Sequence, residues 1–151
     1  MITLVTTNTT TGKSLMKKPI FICISALLLT ACTDKQQYEQ AVLEQIKQEQ
    51  DVKDYKIEPE KLTVCVVGLS SENMPGLFPL DPIRMTAYRN YTKMLTLNKS
   101  TDQKKTLEEL RTDFGTPKGL VEARANYTES LMECIASHIA RSEDAAKAEK
   151  K

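Results

Sequence analysis

Tryptophan is absent from this 151-residue chain, histidine occurs once and glycine five times. A single His and no Cys-x-x-Cys leave no ordinary ligand set for zinc, and no metal or cofactor is expected. Five glycines give little room for a phosphate-cradling loop, and neither that motif, a nucleophile elbow nor a zincin helix occurs. Charge of one sign is not in excess. The 21 Lys and Arg stand against 20 Asp and Glu, which removes the electrostatic footprint of a dedicated nucleic-acid binder. Long apolar runs are missing too: Pro19 to Leu29 spans 11 residues, whereas a transmembrane helix needs about 20. The length is that of one domain.

That short apolar run is nevertheless informative. Lys17-Lys18 precedes it, and it ends in Leu29-Thr30-Ala31-Cys32. A cationic n-region, an apolar h-region and small residues before a cysteine describe a processed leader. The tetrapeptide resembles the lipobox of bacterial lipoproteins, and the resemblance covers residues 16 to 33 alone. It implies removal of residues 16–31, a diacylglycerol on the Cys32 thiol and a chain anchored to a membrane. Thr33 stands where an Asp would favour inner-membrane retention in enteric-type systems, so the periplasmic face of the outer membrane is expected, with the inner membrane as the alternative. Residues 1–15 carry one positive charge and many Thr, fit no n-region, and read as a disposable extension upstream of Met16.

On that reading Cys23 leaves with the leader and Cys32 is acylated, so Cys65 and Cys134 remain as an even pair in an oxidising compartment. A disulfide between them is expected, with two separate buried thiols as the alternative.

The remaining chain reads as an all-α, small antiparallel bundle of about five helices. Residues 32–58 form a tether and an acidic, Gln-rich helix whose thin stripe is Tyr38, Val42, Leu43 and Ile46. Residues 59–142 form the bundle domain. Its first helix is ambiguous, because Leu62 to Val67 is β-branched enough for a strand, yet Leu62, Cys65, Val66 and Leu69 keep helical spacing and no second strand is available to pair. Asp81-Pro82 is an N-cap followed by Pro at the first helical position. Thr101 or Asp102 opens the next helix, and Gly115 ends it. Thr116-Pro117 starts the longest, running to about Ser142. The Ala, Lys and Glu of residues 143–151 lack an apolar face and read as a disordered tail.

Four features bear on function. Asn90-Tyr91-Thr92 recurs as Asn126-Tyr127-Thr128, each preceded by Ala at the same offset (Ala87, Ala123); an Asn bonding across a helix interface is preferred over a duplicated ligand groove. The connector holding Met74, Leu77, Phe78 and Leu80 is unusually apolar for a loop, and reads first as a lid on a thin core, second as a knob for a partner. Charge is segregated, with net −4 over Asp34 to Glu60 and net +4 over Arg84 to Lys118. An acidic protein surface, an anionic head group or the chain's own first helix would suit the basic face of Arg84, Arg89 and Lys93. His138, four positions from Cys134, reads as a bundle histidine rather than a base. The expectation is a non-enzymatic contact or scaffold protein of the envelope, using Met74, Leu77, Phe78, Leu80, Arg84, Tyr88 and Arg89. A binder of lipid or another amphiphile is the alternative, and a cell-wall enzyme is the weaker third.

Overall fold

The computed structural model describes residues 33–148. The expected extension, the leader and Cys32 lie outside them. Within the described residues every regular element is helical. α1 covers residues 33–46, followed by α2 (Gln50–Asp54), α3 (Pro59–Glu72), α4 (Pro82–Leu95), a 3₁₀ turn (Leu97–Lys99), α5 (Gln103–Asp113) and α6 (Pro117–Ala148). The all-α bundle is therefore the observed fold, and the β-branched stretch around Cys65 is helix.

Local chemistry explains most boundaries. Pro59, Pro82 and Pro117 stand at the first turns of their helices, where the missing N–H costs nothing. Asp81 caps α4 by accepting from the Ile83 amide, and Asp102 caps α5 by accepting from the Lys105 amide. Gly115 closes α5 with φ +77°, a conformation that favours glycine. The acidic first helix breaks after residue 46. Gln48-Glu49-Gln50 offers no apolar stripe to hold a helix, and the break lets Val52 and Ile57 turn into the core. The expected tail is also corrected: helix continues through residues 143–148, because Ala, Lys and Glu are good helix formers even without packing.

Side-chain pairs fix the topology. Tyr38 of α1 meets Ser70 of α3, while Lys47 pairs with Glu60, so α1 and α3 are antiparallel. α6 is antiparallel to α3, since Cys134 is bridged to Cys65 and Asn126 donates to the Ser70 carbonyl. α1 runs parallel to α4: Asp34 pairs with Arg89, Glu44 with Lys99, and Gln45 donates to the Leu95 carbonyl. The N-termini of α1 and α4 consequently share one end of the bundle with the C-terminus of α3.

Residues 33–57 contribute more than a tether. Tyr38, Val42, Ile46, Val52 and Ile57 belong to the same core cluster as Leu62, Val66, Tyr88, Tyr91, Leu110 and Cys134. Tyr38 stacks on Tyr88 and meets Tyr91 edge-on, with ring centroids 5.6 and 5.8 Å apart. Tyr91 in turn meets Phe114 edge-on at 5.6 Å. Such pairs add to what area burial alone supplies. Burial raises the Tyr38 phenol well above its ordinary value, although the Ser70 hydrogen bond opposes the shift.

Candidate functional site

The connector between α3 and α4 is not a lid. Only Met74 enters the core, whereas Leu77, Phe78 and Leu80 are 94%, 56% and 53% exposed, as is Ile83 at 59%. The physical reason lies in α1, whose Tyr38, Val42 and Ile46 already fill the space that a lid would close. Met74 and Tyr88 are thus removed from the expected contact surface: both are buried, and the Tyr88 hydroxyl donates to Ser71. Arg89 is engaged as well, by Asp34 and by the Thr86 hydroxyl. The segregated charge is met partly within the chain, acidic α1 against basic α4 and the 3₁₀ turn.

The exposed loop is held from behind. Asp81 is buried and uses both carboxylate oxygens, accepting from the Leu77 amide with one and the Ile83 amide with the other, each at 2.9 Å. Arg84 donates to the Gly76 carbonyl at 2.6 Å. Gly76 has φ +107°, and a Cβ there would lie 2.8 Å from both the Cβ and the amide nitrogen of Arg84, so only glycine fits. The two amide donors hold the Asp81 carboxyl below its ordinary value of 3.8. A depressed folded value means that this carboxylate stabilises the fold above the unfolded value and loses that contribution as the pH falls through the folded one. Asp81→Asn is therefore expected to melt below wild type at neutral pH, with the gap closing as the pH falls from neutral through and below the ordinary carboxylate value. Thermal melts across that range check it; a gap independent of pH would contradict the role given to Asp81.

A concavity lies between α4 and α6, closed at one side by the end of α5. It measures about 670 Å³, in the range of sites that take a small ligand or a side-chain cluster. Ala87 and Ala123 leave space, Tyr91 and Phe114 present aromatic surface, and Asn73, Asn90 and Asn126 supply polar groups. These include the Ala, Asn and Tyr of the first repeated triplet and the Ala and Asn of the second. Asn126 donates to the Tyr91 hydroxyl at 2.9 Å and Asn90 to the Asp113 carbonyl at 3.0 Å. The preferred reading of the repeat, an Asn bonding across the helix interface, describes this geometry. The same residues also line the groove, which that reading left aside. Burial raises the Tyr91 phenol although the Asn126 bond opposes it.

His138 sits in a smaller recess with Lys61, Arg141 and the two disulfide cysteines. Both sulfurs are bonded to each other at 2.04 Å, so neither is a nucleophile for that imidazole. Among the described residues no group of three or more His, Cys, Asp or Glu is placed to hold a metal ion. No described helix is long and apolar enough to cross a membrane. No protein-family model matches the chain, and neither a curated protein nor a solved structure shows significant similarity to it.

Proposed function

We propose that the chain is a lipid-anchored protein of a bacterial envelope, held through an acylated Cys32 at the periplasmic face of the outer membrane, whose helical body binds an apolar segment of another envelope protein. The groove between α4 and α6 carries the binding half of this reading. Its Ala87 and Ala123 make room for an inserted side chain, the Tyr91 and Phe114 rings offer apolar contact, and the side chains of Asn73 and Asn90, which donate to Asn126 and the Asp113 carbonyl, add polar groups to the wall. Insertion of apolar anchors into a preformed groove is a recurrent mode of peptide recognition. The anchoring half rests on Leu29-Thr30-Ala31-Cys32. The bridge between Cys65 and Cys134 supports it, since disulfides persist in oxidising compartments.

A photo-crosslinker placed at Thr86, on the groove wall, is expected to capture one defined envelope protein in intact cells. The same crosslinker at Tyr55, at the opposite end of the bundle, captures none. Glu122→Trp, which puts a large ring at the groove mouth, reduces the yield at Thr86 by about tenfold, equivalent to about 1.4 kcal/mol of binding. Equal capture from both positions would count against the groove.

A second reading, a carrier of a lipid or other amphiphile, draws on one observation. Pro82 and Ile83 line the groove, and Ile83 also belongs to the exposed apolar patch. Native mass spectrometry of the purified chain separates the readings. A bound amphiphile adds a discrete mass that Glu122→Trp abolishes, whereas a protein partner leaves the isolated chain at its own mass.

A further inference from the structure

We infer that the exposed loop Leu77-Phe78-Pro79-Leu80, together with Ile83, is a second membrane contact that inserts into the lipid interface beside the anchor and fixes the orientation of the body. This inference rests on the lipid-anchor reading of Cys32, and on where the described chain begins. α1 lies parallel to α4, and its Asp34 is paired with Arg89. Ile83 is six residues nearer the start of α4, about 9 Å along the helix axis. Going back from Asp34 along α1 leads toward the same end. Thr33, the first described residue, opens α1, and α1 is about one helix diameter, 10 Å, from α4. On the lipid-anchor reading, the acylated residue immediately precedes Thr33 in sequence, and Thr33 opens α1 at the loop's end of the bundle.

The chemistry of the loop suits that surface. Residues 73–80 contain no charged side chain, and Asp81 spends both oxygens on backbone amides. Glu72, at the end of α3, is the nearest exposed acid in sequence, and the following Arg84 and Arg89 are held by Gly76 and by Asp34 and Thr86. Three prolines, Pro75, Pro79 and Pro82, with Gly76 and the Arg84 bond, hold the apolar side chains outward before any contact is made, so little ordering remains to be done on insertion. Exposed large apolar groups next to an acylated residue match the pairing of two signals that membrane-surface proteins use. With the anchor alone the body is free to reorient over the bilayer. A second contact makes the groove, which shares Ile83 with the loop, open at the bilayer surface.

The absence of tryptophan supplies the test. Phe78→Trp and, as control, Tyr55→Trp are each introduced as the single indole of the full chain, purified from membranes and reconstituted in vesicles of phosphatidylethanolamine and phosphatidylglycerol. With brominated acyl chains in the vesicles, the residue-78 indole, buried about 5–10 Å into the interface, loses about half its emission, and the residue-55 indole keeps its own. Leu80→Trp gives the same result should Phe78→Trp fold poorly by circular dichroism. Equal emission from positions 78 and 55 in both lipids overturns the inference. Incorporation of labelled palmitate decides the anchor separately. Without incorporation the anchor reading fails, and the same full chains mixed with the vesicles still decide the loop, by quenching at position 78 in support or by its absence against.

Discussion

Replacing Cys65 and Cys134 together by serine is expected to lower the stability of the protein by roughly 4 kcal/mol and its melting temperature by about 15 °C. The bridge joins positions 69 apart in sequence. Removing it releases a long loop in the unfolded chain, and the chain-entropy relation gives that magnitude for a loop of this size. The native helices themselves need little from the sulfurs. Ser70 and Asn126 still join α3 to α6 by a hydrogen bond of 2.9 Å, so the helical circular dichroism of the folded variant matches wild type at low temperature. A melting temperature within a few degrees of wild type would mean that the unfolded chain is not constrained as the relation requires. The prediction also gives the compartment physical weight: about 4 kcal/mol is a large share of the roughly 5–15 kcal/mol by which domains are stable, so a reducing compartment leaves this fold near its limit.

The helices of the bundle were legible because their termini carry local chemistry. Asp81-Pro82, Asp102 and Gly115 each act through atoms within a few residues, and the pairing of Cys65 with Cys134 followed once Cys23 and Cys32 were set apart. The contribution of α1 was not legible. Tyr38, Val42 and Ile46 sit among glutamines and charges, and a thin stripe gives no measure of how deeply it is buried; that depends on the gap left by α3 and α4. The same depth decides the loop: the lid reading rests on a thin core, and with Tyr38, Val42 and Ile46 deeply buried in it Leu77, Phe78 and Leu80 are exposed.

The groove shows the same dependence on tertiary placement. The repeated Asn-Tyr-Thr triplets and their preceding alanines were visible as a pattern, and the pattern alone could not say whether the two helices meet along their whole length. They meet at Tyr91 and Asn126 and leave a gap at Ala87 and Ala123, where side chains are too short to fill it. Small residues opposite one another are therefore the sequence signal for this cavity. The charge pattern behaved likewise: opposite net charges on two segments were readable, and the pairs Asp34 with Arg89 and Glu44 with Lys99 show part of that difference met inside the molecule rather than by a partner. Exposed pairs of this kind contribute little energy singly, but they fix which end of α1 faces the apolar loop.

Tyr38→Ala is expected to destabilise the protein by about 4 kcal/mol, in the range for removing a large aromatic side chain from a core. Tyr38 is fully buried, and its ring touches two others. Truncation leaves a cavity between α1 and α4 and strips Tyr88 and Tyr91 of their common neighbour. Tyr38→Phe separates the ring from the hydroxyl. It keeps both aromatic contacts and removes the 2.7 Å bond to Ser70, whose own hydroxyl still donates to the Val66 carbonyl at 2.6 Å. Its cost is accordingly about 1 kcal/mol. Urea or guanidinium midpoints of the two variants measure the difference, with an unchanged slope showing that the comparison is one of stability. Were Tyr38→Ala no more costly than Tyr38→Phe, α1 would be an attached tether rather than a core helix. The register that pairs Asp34 with Arg89 would then lose its foundation, and the proposed orientation of the body at a membrane would lose it too.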